Sequence, residues 1–179
     1  MIETERLILR PWRESDRPAW RAMMAQPEVA YWLGGPWTDI ETDAAFDRTA
    51  AAVEAEGHGV WAAERRTDHI FLGAIGIRRV SFEDHPMFGH TELAWRLTRA
   101  AWGEGYASEG AAASLAWGFE TLALSEVLAF TAVSNLRSQA VMRRIGMTRD
   151  PARGFDHPTL AEDHPLRRHV VFAARTPFP

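Results

Sequence analysis

Residues 102–109 read Trp102-Gly103-Glu104-Gly105-Tyr106-Ala107-Ser108-Glu109, and this stretch decides the fold. It follows a segment with the alternating pattern of a strand and precedes a long helical pattern. Two glycines spaced by one residue allow a tight turn there and leave backbone N–H groups at the positive end of a helix dipole. Such a helix start suits a phosphate or pyrophosphate, although a Gly-x-Gly pair alone also serves as a plain turn.

The composition predicts a single globular domain over residues 1–179. Apolar residues make up 46% of the chain and charged residues 25%, and cysteine is absent, so a disulfide framework, thiolate metal ligands and a cysteine nucleophile are excluded. No signal peptide and no bilayer-spanning apolar run is recognisable, which predicts a cytoplasmic protein with no membrane partner. The net charge of −4 argues against a nucleic-acid partner.

The elements around the glycines follow from periodicity, caps and breaks. Strands are predicted at 6–10, 59–65, 70–80, 89–97, 126–133 and 168–174, and helices from 15 or 16 to about 24, from 38 or 39 to about 56, after the glycines to about 122, and at 135–145. Short turns between strands require antiparallel neighbours, whereas each late helix can connect parallel strands. The sheet is therefore mixed, which excludes a regular Rossmann winding.

A second motif, at the start of a later helix, follows the two glycines along the chain. Asn135-Leu136-Arg137-Ser138 opens a helix directly after a strand, and Gly146-Met147 ends that helix. Together with Thr4-Glu5-Arg6-Leu7-Ile8-Leu9-Arg10 and Glu92-Leu93-Ala94-Trp95-Arg96-Leu97, these motifs cover nearly the whole chain. Their order resembles that of the GCN5-related N-acetyltransferase (GNAT) superfamily, and most closely its RimJ/RimL-like branch.

This resemblance implies an α/β (α+β) fold with a mixed, mostly antiparallel sheet of six to seven strands. Two central parallel strands, 92–97 and 126–133, would splay apart to hold acetyl-CoA as the acyl-donor cosubstrate, with about four flanking helices and no metal. The implied cofactor-binding residues lie on three segments: Trp95, Leu97 and Thr98 on the strand; Trp102, Gly103, Glu104, Gly105, Tyr106, Ala107 and Ser108 in the loop; and Asn135, Ser138 and Arg143 on the later helix. Splayed strands leave backbone groups free to bond an extended ligand.

Acetyl transfer to an amine needs a base, donors for the oxyanion and an acid for the departing thiolate. The strand N–H near Leu97 or Thr98 is a natural oxyanion donor. Many members of the superfamily carry a tyrosine four residues before the terminal glycine of the last helix, and Met142 stands there in this chain. Ser138 is the remaining hydroxyl, which the resemblance implies as the acid; its alternative role is to cap the helix.

Candidates for the base lie on a strand and in a late loop. Glu92 sits on the splayed strand, where its alternative is an exposed strand carboxylate. Asp156-His157-Pro158 is one of three Asp-His-Pro copies, the others beginning at Asp84 and Asp163. The favoured functional interpretation is a His157 imidazole oriented by Asp156, with Glu162 and His164 as further candidates. The alternative is plain turn chemistry, and the spacing matches no familiar metal-ligand pattern.

The predicted function is that of an acetyl-CoA-dependent N-acetyltransferase, an acyltransferase that moves acetyl to a primary amine in a ternary complex. The acceptor would be a protein or peptide N-terminus or a small-molecule amine, and the branch often forms dimers, which leaves a homodimer open. One alternative is a non-catalytic acyl-CoA-binding sensor or assembly domain. Another is a nucleotide-phosphate binder, which lacks the lysine and hydroxyl that follow the glycines of a P-loop.

Overall fold

The computed structural model describes residues 1–176 and contains one eight-stranded sheet with helices on both faces. The helices are Arg17–Met24 (α1), Pro27–Tyr31 (α2), Asp39–Glu56 (α3), Tyr106–Thr121 (α4) and Leu136–Arg144 (α5), with 3-10 turns at Glu14–Asp16 and Arg99–Ala101. The strands are Ile2–Glu3 (β1), Leu7–Arg10 (β2), Val60–Arg65 (β3), Phe71–Arg79 (β4), Thr91–Leu97 (β5), Glu126–Ala132 (β6), Thr148–Asp156 (β7) and Arg168–Arg175 (β8).

The sheet order is β1-β2-β3-β4-β5-β6-β8-β7, and β5 and β6 form its parallel pair. The predicted mixed, mostly antiparallel fold is confirmed, with eight strands and five α-helices instead of six to seven strands and about four helices. The unpredicted elements are β1, α2 and β7. The first two are short, and β7 carries Pro151 and Gly154 in a polar sequence that lacks strand alternation.

Local signals fix the ends of the long helices. Thr38 caps α3 in a capping box with Glu41, and Gly57 ends it in the left-handed conformation at φ 69°. On α4, Gly110 lies so close to β4 that a Cβ there would stand 2.6 Å from Ile75 Cδ1. Glycine therefore lets α4 pack directly onto the sheet.

Two apolar layers lie on opposite faces of the sheet. On one face, α4 and α5 cover Ile75, Leu93 and Phe172. On the other face, α1 and α3 cover the β3–β4 half, while Leu128 of β6 packs with residues of β7 and β8. Side chains that alternate along β5 therefore point either into the α4 core or into the α1 face.

The two parallel strands diverge after their first contact. β5 and β6 share one register pair, Glu92 with Leu128, whereas β4 and β5 pair along the whole of β5. The splay that the resemblance implied is present. No helix within residues 1–176 is long and apolar enough to cross a bilayer.

Candidate functional site

The Gly-x-Gly loop presents its backbone to solvent. Gly103 and Gly105 have φ values of +87° and +85°, and Gly105 is the N-cap of α4 without a side-chain capping bond. Within residues 1–176, the backbone N–H groups of 103–108 have no protein acceptor. These donors converge at the start of a 16-residue helix, where its dipole favours an anion.

The N-terminal segment clamps this loop in place. The Thr4 hydroxyl and the Arg6 amide donate to Glu109 Oε1 at 2.6 and 2.8 Å, and Arg6 Nε donates to Oε2 at 2.6 Å. Arg6 Nη1 also reaches the Glu104 carbonyl at 2.9 Å. Burial raises the pKa of Glu109, but the bonds from Thr4 and Arg6 outweigh it and hold that pKa below its ordinary value. The carboxylate therefore fixes α4 to the loop, a role that the sequence did not reveal.

The splayed edge of β5 carries free backbone groups of its own. The Thr98 N–H donates to the Leu72 carbonyl at 2.9 Å, so of the two predicted oxyanion donors the Thr98 amide is already engaged. Because donors alternate along an antiparallel ladder, the Leu97 N–H and both backbone groups of Trp95 point away from β4, toward the splay. The Leu97 carbonyl accepts from Trp102 Nε1 at 2.9 Å.

At the start of α5, Asn135 and Ser138 divide the roles that the sequence left open. Asn135 Oδ1 accepts from the Ser138 amide at 3.2 Å, and its Nδ2 donates to Thr131 Oγ1 at 3.0 Å. Asn135 is buried and caps the helix. The Ser138 hydroxyl, which is partly exposed, has no partner within residues 1–176. Capping therefore does not occupy the Ser138 hydroxyl.

Of the two arginines at the end of α5, the second approaches the loop. Arg143 Nη2 bonds Gln139 Oε1 at 3.2 Å, and its guanidinium lies 5.5 Å from the Phe172 ring centre. Arg144 Nη1 donates to Ser108 Oγ at 2.9 Å. Arg144 rather than Arg143 contacts the loop, because a one-residue step on a helix turns the side chain by about 100°. The phosphate contact of Arg143 stays a prediction.

Glu92 lies on the α1 face of β5 and is not an exposed strand carboxylate. Its residue is 5% exposed, and Arg78 Nε on the paired strand donates to Oε1 at 2.5 Å. Arg78 is itself exposed. The carboxyl group is thus buried and bonded by one arginine at the rim of this face.

The predicted Asp156–His157 dyad is not formed. Asp156 is exposed and pairs with Arg168 at 3.3 Å, while His157 Nδ1 contacts Thr159 Oγ1 at 3.0 Å. β7 ends at Asp156, and the two side chains bond different partners on either side of that strand end. His157 itself lies beside a buried aromatic group, and its role as a base stays a prediction.

That group joins three imidazoles. The His157 ring lies 5.1 Å from His169 and 5.8 Å from His85, against Phe155. Burial and then the two neighbouring imidazoles lower the pKa of His157 to about 4. No set of three ligating side chains within residues 1–176 is arranged to hold a metal ion.

All three Asp-His-Pro copies are turns in which the histidine Nδ1 bonds the residue two positions on. His85 accepts from the Met87 amide at 3.1 Å, and His164 accepts from the Leu166 amide at 3.2 Å. His157 makes the same contact with the hydroxyl of Thr159. This geometry supports the turn interpretation of the repeated motif.

Sequence reasoning missed Arg96, the third residue of the Glu92-Ala94-Arg96 row on β5. Its guanidinium lies 5.6 Å from the Trp20 ring centre and 5.5 Å from that of Trp37, and Nη1 is 3.5 Å from Met24 Sδ. The alternation along β5 was the signal that could have placed it on the same face as Glu92.

An aromatic groove lies beside the loop. It is lined by Pro27, Glu28, Tyr31, Trp32, Trp102 and Arg137. The Trp102 ring has the guanidinium carbons of Arg99 and Arg137 at 5.2 and 5.3 Å from its centre. Trp61, by contrast, is fully buried in the α4 core and lines no groove.

Comparisons with known proteins agree with this geometry. The family model described as an acetyltransferase (GNAT) domain matches residues 6–148. An acetyltransferase from Agrobacterium tumefaciens str. C58 is 33% identical and has a TM-score of 0.77, covering 97% of this chain and 93% of its own. The uncharacterized N-acetyltransferase YoaA of Bacillus subtilis (strain 168) is 28% identical over 152 residues, 84% of each chain.

A third similar protein is a solved structure from the RimJ/RimL-like branch that the sequence motifs suggested. A RimL ribosomal L7/L12 alpha-N-protein acetyltransferase, solved in complex with coenzyme A, has a TM-score of 0.71 at 15% identity, covering 96% of this chain and 95% of its own. At that identity the likeness shows the fold alone. The chain belongs to the GNAT acetyltransferase family, and the predicted enzyme class is confirmed. The RimJ/RimL-like branch stays a prediction.

Proposed function

We propose that this chain transfers the acetyl group of acetyl-CoA to a primary amine by direct attack within a ternary complex. The observation that carries the proposal is the row of backbone N–H groups at 103–108 without protein acceptors, which continues into the splayed edge of β5. A pyrophosphate fits the first part because it needs several converging donors. An amide-bearing arm fits the second because it can pair like an added strand.

The loop and the splay would together position the thioester. With the pyrophosphate at 103–108 and the pantetheine arm along Trp95, the carbonyl would lie beside the free Leu97 N–H, which stabilises the developing oxyanion. The free hydroxyl of Ser138 would donate a hydrogen bond to the departing sulfur. A hydroxyl has a high intrinsic pKa, so it acts there as a donor and not as a strong acid.

The amine must lose a proton before or during attack, because a free amine is mostly protonated at neutral pH. Glu92 is the best placed group, since it is buried, lies on the face opposite α4 and accepts a hydrogen bond from Arg78. It would act through a water relay or by positioning the ammonium. His157 is neutral at neutral pH and is the second candidate.

The test is a panel of primary amines with acetyl-CoA, read as release of free thiol. The panel includes small-molecule amines and peptides with free N-termini. The proposal expects a rate that depends on the amine, with saturation in both substrates. Because all 20 cationic side chains are arginine, the chain has no lysine ε-amine that could add a background of self-acetylation.

Glu92→Gln tests the proton transfer in the same assay. We expect kcat to fall by about 100-fold or more, since positioned acid–base groups contribute on the order of 10²–10⁴. Glu120→Gln, an exposed carboxylate on α4, is the matched control. Unchanged turnover in Glu92→Gln removes Glu92 from the chemistry. Acetyl-CoA binding with thioester hydrolysis that no amine accelerates would favour the non-catalytic acyl-CoA-binding alternative.

A further inference from the structure

Among the arginines of residues 1–176 that are not exposed to solvent, Arg96 is the one that makes no ion pair with a carboxylate. Within residues 1–176, the arginines that make no ion pair with a carboxylate within 4.0 Å are Arg48, Arg79, Arg96, Arg137, Arg143, Arg144 and Arg149. All of them except Arg96 are exposed. An exposed guanidinium needs no partner because water solvates it, whereas a partly buried one loses that solvation.

The chain treats a structural buried arginine quite differently. Arg10 is 4% exposed, and it is bonded by Asp16 at 2.8 Å through two nitrogens and by Glu64 at 2.6 Å. These two carboxylates compensate its charge completely. Within residues 1–176, Arg96 contacts only a thioether and two indole faces, and the Glu92 carboxylate attracts it without an ion pair within 4.0 Å, so its N–H groups are left for a partner from outside the chain.

The guanidinium of Arg96 remains charged and is flanked by two aromatic rings. Burial, and then repulsion from Arg78, lower its pKa to about 10 against the attraction of the Glu92 carboxylate, so it remains a cation at neutral pH. Trp20 and Trp37 flank the guanidinium and are held by α1 and by the segment before α3. Aromatic walls stabilise the cation through their π faces, and they also exclude water from any ion pair formed there.

Arg96 also stands next to the proposed reaction centre. It directly precedes Leu97, whose N–H points into the splay, but its side chain lies on the α1 face. Glu92 projects from the same face four residues earlier, about 13 Å along the strand. Beside the splay, the α1 face of β5 therefore carries one carboxylate and one guanidinium that makes no ion pair within residues 1–176.

We propose that the acceptor is a primary amine that also carries a carboxylate, as an α-amino acid does, and that Arg96 binds this carboxylate. The inference rests on the proposed function. A planar guanidinium matches a carboxylate through two parallel N–H···O bonds. One guanidinium balances one negative charge, and the nearby Glu92 disfavours a dianionic phosphate. Arg96 would then determine which amines are accepted without taking part in bond making.

The experiment uses matched primary amines that share one carbon skeleton: an α-amino acid, its amide, its decarboxylated amine and its phosphonate. Each is assayed with wild type, Arg96→Gln, Arg96→Lys and the control Arg48→Gln, an exposed unpaired arginine on α3. We expect the wild type to prefer the amino acid over its amide by at least about tenfold in kcat/KM. Arg96→Gln should remove about 10- to 100-fold for the amino acid alone, as expected for a charge-assisted bond, and Arg96→Lys should lose less.

Several results would overturn this inference. They are a wild type that prefers the amide, the decarboxylated amine or the phosphonate, or an Arg96→Gln variant that loses all substrates equally. The wild-type comparison stands even if the variants fail to fold. If no amine in the panel is acetylated, calorimetry with the CoA-saturated wild type decides, and absence of amino-acid binding contradicts the proposal. Failure to bind CoA at all would instead contradict the proposed function.

Discussion

The loop of residues 103–108 and the sheet face around Glu92 and Arg96 offer different kinds of group to a ligand. The loop offers backbone N–H groups, and two side chains outside it, those of Arg6 and Glu109, hold it in place. The sheet face offers charged side chains that come from several elements. A backbone site binds whatever carries a pyrophosphate, whereas a side-chain site selects among ligands. The difference explains why the donor is easier to infer than the acceptor.

Gly105→Ala should break the backbone side of this comparison, with the largest expected effect. An L-residue in the left-handed region costs about 1–2 kcal/mol, and a Cβ there would lie 3.2 Å from Arg6 Nη2, which anchors the loop. The N–H row would then be displaced, and we expect a loss of CoA affinity of about 10- to 100-fold by calorimetry.

Gly57→Ala is the matched control for that variant. Gly57 ends α3 at φ 69° with open space around its Cβ position, so the substitution brings similar backbone strain far from the loop. It should lower stability and leave the CoA dissociation constant within about twofold, given a strain of about 1–2 kcal/mol confined to the helix end. Equal CoA affinity in Gly105→Ala and wild type would refute the binding of CoA by the backbone N–H groups of residues 103–108.

Ser138→Ala tests whether a free hydroxyl acts on the leaving group. We expect kcat to fall by about tenfold, as for loss of one hydrogen bond of roughly 1.4 kcal/mol in the transition state. The KM for acetyl-CoA and the melting temperature should hardly change, since Asn135 is the residue that caps α5. Asn135→Ala should instead lower the free energy of unfolding, by about 1 kcal/mol. Destabilisation by Ser138→Ala comparable to that of Asn135→Ala would contradict this division.

The backbone site could be predicted from the sequence because its geometry demands a particular residue type. Positive φ values select glycine at 103 and 105, and the change from strand to helix pattern around them is visible in one sequence. Strand β7 could not be predicted, because its polar sequence pairs with β8 through a register shift between Asp150 and Phe155. Its edge position, set by tertiary pairing, tolerates Pro151.

The side chains proposed to meet the amine acceptor were harder to assign, because the residues they contact are distant in sequence. Glu92 was singled out as a candidate base, which stays a prediction, and its bond with Arg78 depends on the register of β4 against β5. Asp156 and His157 suggested a dyad because they are adjacent in sequence, yet their side chains bond different partners on either side of the end of β7. Arg96 gave no motif at all, and its importance appears only when the ion pairs of the whole chain are compared.

The smallest expected effect concerns the cluster of His85, His157 and His169, and it is the pH dependence of the free energy of unfolding. The pKa of His157 is lowered from 6.5 to about 4 by burial and by its imidazole neighbours, so the unfolded chain binds a proton that the folded chain refuses. Its contribution is therefore fully present above pH 6.5 and is lost as the pH falls toward 4, with a slope of at most about 1.4 kcal/mol per pH unit.

Urea unfolding between pH 7 and pH 4.5 checks this sign. His157→Phe should lose less stability across that range than the wild type does, because it removes one suppressed protonation. His58→Phe is the comparison, since His58 lies at the end of α3, away from the imidazole group. The same loss of stability in wild type and His157→Phe would contradict the assignment.

The central claim is that the loop amides and the splayed edge of β5 together recognise acetyl-CoA. A calorimetric titration of the wild type with CoA and, separately, with ATP tests it most directly. Both ligands carry a pyrophosphate, but only CoA has an amide-bearing arm to pair with β5. We expect a CoA dissociation constant of about 1–100 μM, in the usual range for cellular substrates, with ATP at least about tenfold weaker. ATP binding as tight as CoA binding, or no binding of CoA, would contradict it.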